Sequence, residues 1–266
     1  MKLAFIGGGV MGEAIIARVV SNGLAKASDV SVCDVIESRR DWLARTHGVA
    51  VSEDAAKVAA GSDILVLAVK PHEFTSAGEA LAGGLSDTQT VVSIMAGVRI
   101  DSLQTVLRHK AIVRAIPNTP AQIGEGVSVW TATAEVPAAA RDAVGRLLAS
   151  LGDEIYVADE KYIDMATAVS SSGPAYVFLM IEAMIDAAVH IGLRRELAAP
   201  MVLQTVLGSA RYAQATGKHP AELRNQVTSP GGTTTEGVLA LEDAGIRAAF
   251  YEAVEAAYEK AKQLGG

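Results

Sequence analysis

The chain has 266 residues, of which 50% are hydrophobic but only 5% aromatic, with a formal net charge of −7 and one cysteine, Cys33. That length accommodates two domains with full cores, and the acidic balance argues against a nucleic-acid partner. A lone cysteine excludes an internal disulfide, and without a signal peptide the expected compartment is a reducing cytoplasm. In chain order, LAFI (Leu3–Ile6) reads as a strand, followed by a glycine turn and a helix to about Ser21. DVSVCD (Asp29–Asp34) is a second strand, and ESRRDWLART a helix stopped by Gly48. SDILVLAV (Ser62–Val69) is an unbroken apolar run, as a strand covered on both faces requires. TVVSIMA (Thr90–Ala96) and AIVRAIP (Ala111–Pro117) repeat the theme, and VSVWTA (Val127–Ala132) and EIYVA (Glu154–Ala158) extend it around a helix from Ala138 to Leu151. Strand alternating with helix predicts an α/β fold whose sheet is doubly wound and mostly parallel, over residues 1–160.

From residue 161 to 266 the strand signals cease. Helical patterns run from Pro174 to Leu193, Glu196 to Thr216, Thr235 to Asp243 and Ile246 to Leu264, so an all-helical second domain is expected. The first of them carries Glu182, Asp186 and His190 four residues apart, one polar stripe on an apolar helix. Carboxylates at mid-span are expensive in lipid, so the pattern fits a buried helix of a soluble protein better than a membrane span. Helices this apolar over a hundred residues hold more greasy surface than a small bundle covers, which predicts a dimer or larger assembly.

IGGGVMGEAI places Gly7, Gly9 and Gly12 in the G-x-G-x-x-G pattern between a strand and a helix, the context of a Rossmann dinucleotide turn. Gly7 permits the turn, Gly9 lets the backbone approach a pyrophosphate, and Gly12 lets helix and strand pack closely; the helix N-terminus adds amide donors. Asp34, at the end of the second strand, suits the ribose hydroxyls of NAD, whereas Arg39 and Arg40 suit a 2′-phosphate, so NADH and NADPH both stand. LAVKPHEF puts Lys70 and Pro71 at a strand's carboxyl end, the edge that faces the ligand crevice in an open parallel sheet. IMAGV (Ile94–Val98) leaves the next strand end without bulk, fit for a flat nicotinamide, and two prolines in AIPNTPA stiffen a positioned amide at Asn118.

TSPGGTTTEG (Thr228–Gly237) packs hydroxyls and glycines before a helix expected to begin at Thr235 and Glu236, the composition of an anion cradle. No HExxH, cysteine cluster or GxSxG occurs, and the five histidines are scattered. A dinucleotide fold with no evident acid–base pair suggests hydride transfer to a substrate already activated, such as a protonated cyclic imine, which needs only alignment and a grip on its carboxylate.

IGGGVMG, LAVKP, SIMAGV, VRAIPNTP, SSSGPAYVF and HPAELRNQVTSPGGTTTEGVLALE, in this order along the chain, make it resemble the pyrroline-5-carboxylate reductases over essentially its whole length. The resemblance implies reduction of L-1-pyrroline-5-carboxylate to L-proline with NADPH or NADH, the last step of proline biosynthesis. It also implies a helical substrate-binding domain that builds a homodimer, often assembled into a decamer, with the partner subunit completing the substrate pocket. By position, Gly7, Gly8, Gly9, Val10, Met11 and Gly12 become the pyrophosphate turn. Ala68, Val69, Lys70 and Pro71 become cofactor contacts, and Met95, Ala96 and Gly97 lie beside the nicotinamide. Ser229, Gly232 and Thr233 meet the substrate carboxylate, and Thr234 hydrogen-bonds near the ring, making Ser229 and Thr234 the expected catalytic contacts.

The sequence departs from the family pattern in three places. Ser171 stands where relatives carry the first glycine of Ser-Gly-Ser-Gly-Pro, which predicts backbone strain or a shifted turn. No asparagine stands near Ala55 to touch the adenosine, leaving Asp54 as a poor substitute, and Asp34 makes strict NADPH dependence doubtful. A β-hydroxyacid dehydrogenase or other imine reductase shares this two-domain plan, but the former class uses a helix lysine, absent here from Val177 to Leu193. A deazaflavin-dependent reductase fits the N-terminal domain alone. A non-catalytic dinucleotide sensor has no need of the SPGGTT cradle.

Overall fold

The computed structural model describes residues 1–264. Strands β1 (Leu3–Ile6), β2 (Val30–Cys33), β3 (Ala50–Ser52), β4 (Ile64–Leu67), β5 (Thr90–Ser93), β6 (Ile112–Ile116), β7 (Gly126–Ala132) and β8 (Gly152–Tyr156) form one sheet in the order β3-β2-β1-β4-β5-β6-β7-β8. All neighbours are parallel except β6 and β7. The nine residues 117–125 between those two explain the exception. A parallel return needs a crossover of a dozen or more residues, so the short link reverses the chain. The strand apolar runs divide between the two faces: Leu3, Phe5, Ile64 and Val66 enter one core, Ala4, Ile6, Leu65 and Leu67 the other. That is why these strands show no polar alternation.

Helices α1 (Val10–Ser21), α2 (Glu37–His47), α3 (Ala55–Ala59), α4 (Phe74–Glu79), α5 (Ile100–Leu107) and α6 (Ala138–Ala149) flank the sheet. They are followed by α7 (Lys161–Ala166) and a π-helical turn over Thr167–Ser171. Strand order reverses at β1, whose neighbours are β2 and β4, with Ile6 level with both Cys33 and Leu67. The segments opening at Gly7, Asp34 and Ala68 therefore leave the sheet together at its switch point, where open α/β sheets bind ligands. Elements too short for a periodic signal, β3 above all, are absent from the sequence reading.

The chain divides into two compact units, Met1–Ser172 together with the chain end from Ala257, and Gly173–Ala256. The second unit is helical: α8 (Gly173–His190), α9 (Arg195–Thr216), α10 (Pro220–Gln226), α11 (Thr233–Asp243) and the first part of α12 (Ile246–Leu264). Helix α10, missing from the sequence reading, starts on Pro220 after His219, whose ring accepts the Ala221 N–H at 3.2 Å. Within the unit α8 packs against α9, yet α8 buries none of its residues, and Phe178 and Leu179 stay 61% and 67% exposed. The expectation of a buried helix thus fails for a single chain. The stretch Lys161–His190 has the length and hydropathy of a membrane span, but Glu182 and Asp186 lie inside it.

Candidate functional site

Three glycines of the turn have a steric reason and a fourth does not. Gly7 has φ +96°, and a Cβ there would lie 2.7 Å from the Ala68 carbonyl oxygen, so only glycine lets the end of β1 pass the end of β4. A Cβ on Gly8 would collide with Leu43 of α2. One on Gly12 would lie 2.6 Å from the Gly7 carbonyl oxygen, so that glycine seats α1 on the turn. Gly9 is different: nothing lies within 4 Å of its would-be Cβ. It caps α1 without a side-chain hydrogen bond, and Val10 beside it is 65% exposed. Open space above a glycine at an uncapped helix N-terminus fits a pyrophosphate, since the first-turn N–H groups have no partner within the helix. We expect Gly7→Ala to destabilise the apo-protein by ~1–3 kcal/mol through its disfavoured φ. Gly9→Ala should leave apo-stability within ~0.5 kcal/mol while weakening coenzyme binding about tenfold or more. Thermal unfolding with a coenzyme titration checks both; a Gly9→Ala variant that binds coenzyme normally would remove the turn from the site.

Around this turn Asp34 accepts N–H bonds from Gly8 at 2.8 Å and Ile36 at 2.9 Å. Ala68 and Val69 are half-buried, while Lys70 and Pro71 stand exposed at the end of β4. The Lys70 N–H donates to Glu73 at 3.0 Å and starts a 3₁₀ turn. Past β5, Met95 and Gly97 are buried and Ala96 half-buried. Gly97 has φ +77°, and a Cβ there would press on Leu264, so the chain end closes over this loop. The Asn118 carboxamide is occupied at both ends: its oxygen accepts the Val127 N–H at 2.9 Å and its nitrogen donates to the Ser170 carbonyl at 3.1 Å. It links β7 to the π turn.

In the helical unit, α11 begins at Thr233, two residues before the position read from sequence. Gly231, with φ +65°, turns the chain, and Gly232 caps the helix without a side chain. The Ser229 hydroxyl lies against Gly232, and the Ser229 carbonyl accepts Gly232 N–H at 3.0 Å and the Thr235 hydroxyl at 2.7 Å. Thr233 and Thr234 thus form the first turn, with their N–H groups at the positive end of an 11-residue helix. Ser229, Gly232, Thr233 and Thr234 come together there around one helix N-terminus.

A family model described as pyrroline-5-carboxylate reductase dimerisation matches residues 160–264. A second, for coenzyme F420-dependent NADP oxidoreductases, matches residues 2–97, the dinucleotide-binding half alone. The pyrroline-5-carboxylate reductase of a Synechocystis strain is 42% identical over 265 residues, covering 100% of this chain and 98% of that protein. The chain belongs to the pyrroline-5-carboxylate reductase family. The Escherichia coli reductase is 38% identical over 99% of this chain and 98% of its own length. The solved structure of the Plasmodium falciparum pyrroline carboxylate reductase with NADP bound superposes with a TM-score of 0.92 at 32% identity, covering 100% of this chain and 98% of that one.

Two departures from the reductase pattern have structural explanations. Ser171 ends the π turn, and Arg108 is the only non-glycine described residue with positive φ, so serine meets no left-handed strain there. Of the two expected outcomes, strain or a shifted turn, left-handed strain is absent. Asp54 caps α3, accepting the Lys57 N–H at 3.0 Å.

Two charged clusters in the reductase escaped the sequence reading. Arg114, fully buried in β6, donates to Glu160 at 2.8 Å and Asp164 at 2.6 Å, and Glu160 also accepts the Ile100 N–H at 2.8 Å. This ties α7 and the start of α5 to the strand beside the 94–99 loop. The second is Glu13, on the first turn of α1. It receives Arg39, the Trp42 indole N–H at 2.8 Å and His47 at 3.1 Å. A lone arginine in the apolar run AIVRAIP was the available signal for the first; nothing local marked the second.

Proposed function

We propose that the chain reduces L-1-pyrroline-5-carboxylate to L-proline, taking its hydride from NADPH or NADH, and so completes proline synthesis. Membership of the reductase family carries this reading, and the cradle at the start of α11 supports it. A cyclic imine protonated in solution accepts hydride at carbon without a protein acid, so the residues need only bind and orient. Bound NAD(P)H supplies that hydride. Gly9 and the first turn of α1 hold the pyrophosphate, Asp34 faces the adenosine ribose, and Ala68–Pro71 with Met95–Gly97 line the way to the nicotinamide. Ser229, Gly232 and Thr233 bind the substrate carboxylate, and Thr234 bonds the ring. The Asn118 amide, occupied at both ends, serves this site by positioning the π turn.

Purified protein mixed with the imine and either coenzyme should oxidise the coenzyme and form an equal amount of proline. Absence of proline with both coenzymes sinks the proposal. The working enzyme is a cytoplasmic homodimer in this reading. The dimerisation family match and the uncovered apolar surface of α8 support that assembly. Sedimentation separates the dimer from a decamer.

A further inference from the structure

We propose that Glu13 is a coenzyme-specificity residue: it holds Arg39 against the glycine turn and away from a 2′-phosphate, so the enzyme prefers NADH to NADPH. The inference rests on the dinucleotide reading of that turn. A 2′-phosphate brings close to two negative charges to the ribose beyond β2, and its binding demands free cations there. What the structure places there first is the Asp34 carboxylate, beside the turn through its 2.8 Å bond from Gly8 N–H. A carboxylate suits the ribose hydroxyls and repels the phosphate.

The two nearby arginines are each already answered. The Arg39 Nε donates to the Gly8 carbonyl, one Nη lies 3.4 Å from the Gly9 carbonyl, and the same Nη pairs with Glu13. Arg40 donates to the carbonyls of Asp34 at 2.8 Å and Val35 at 3.1 Å, and stands 3.7 Å from Glu53. Three carboxylates, those of Asp34, Glu13 and Glu53, therefore face two guanidinium groups and His47 within this cluster. Glu13 is the fixed member. Partial burial pushes its carboxyl pKa up, but the bonds from Trp42, His47 and Arg39 and the Arg39 charge outweigh that and bring it to about 2. It stays ionised wherever the coenzyme binds, and Arg39 stays neutralised. Taking a 2′-phosphate means pulling Arg39 off two carbonyls and a carboxylate, while Arg40, the other guanidinium of the cluster, is itself held by two carbonyls.

Equilibrium binding of NAD⁺ and NADP⁺, read by calorimetry without substrate, tests this on the unmodified protein, Glu13→Gln and Asp34→Ser. The unmodified protein should favour NAD⁺ by about tenfold or more. Glu13→Gln keeps the shape but removes the charge, and should tighten NADP⁺ binding several-fold while NAD⁺ binding changes less than about twofold. Asp34→Ser should move the ratio the same way, and steady-state NADPH-to-NADH efficiency should follow both. NADP⁺ bound as tightly as NAD⁺ by the unmodified protein overturns the proposal alone. So does a Glu13→Gln variant that weakens both coenzymes equally, which would make Glu13 a brace for the turn. Binding of neither coenzyme to a folded protein overturns the dinucleotide reading as well, which separates the two failures.

Discussion

Thr234→Ala is expected to lower turnover by about 100-fold or more while coenzyme affinity stays within about twofold, a loss of ~2.7–4 kcal/mol confined to the transition state. The geometry distinguishes three consecutive threonines. The Thr235 hydroxyl is committed to the Ser229 carbonyl at 2.7 Å and shapes the loop. Thr233 is exposed, and Thr234 is half-buried in the first turn behind a cap without a side chain. In the proposed site, the Thr234 hydroxyl meets the ring whose nitrogen changes charge as hydride arrives. A hydrogen bond that strengthens during that change acts on turnover, not on ground-state binding. Thr235→Ala should instead loosen the loop, weakening stability by ~1 kcal/mol and raising KM for the imine. Steady-state kinetics with both variants, alongside coenzyme titration, decide the matter. Parallel losses of turnover and coenzyme affinity in Thr234→Ala would show that its hydroxyl does not meet the substrate.

Arg114→Met should destabilise the sheet unit by ~3–5 kcal/mol, the usual consequence of breaking a buried ion pair from one side. Its guanidinium is inaccessible, and Asp164 is only 6% exposed, so removing the cation leaves a carboxylate with neither water nor partner. Glu160 fares better, being partly exposed and still accepting the Ile100 N–H at 2.8 Å. The penalty therefore rests mainly on Asp164. Replacing both residues, Arg114→Met with Asp164→Leu, should recover much of the loss, because two apolar side chains need no compensation. Chemical denaturation of the single and double variants measures this coupling. A single variant within ~1 kcal/mol of the parent would mean that the pair contributes little.

The sequence already carried the plan of the fold and the position of the glycine turn. LAFI became β1 without adjustment, ILVL stood inside the run read as a strand, and Ile246–Leu264 matched its helix at both ends. Strand runs buried on both faces, glycine turns and helix stops are local signals, so a window of a few residues contains them. The turn's glycines could also be given roles from their spacing alone. The antiparallel β7 could not be seen so directly, because direction follows from the room the 117–125 link leaves, not from the strand's own residues.

Fold class, the order of the longer elements and the position of the glycine turn are thus properties of the sequence by itself. They depend on which side chains lie a few positions apart, and backbone geometry converts that spacing directly into structure. Only the tertiary structure decided what the charges do. Arg114 meets Asp164 across 50 positions and Arg39 meets Glu13 across 26, so read singly each looks like a solvated or stray residue. Folding also closed both ends of the Asn118 amide on β7 and the π turn, and left Gly9 facing open space. Hydrogen bonds and ion pairs act through space over a few ångströms, and chain separation carries no record of them until the sheet has brought its strand ends together.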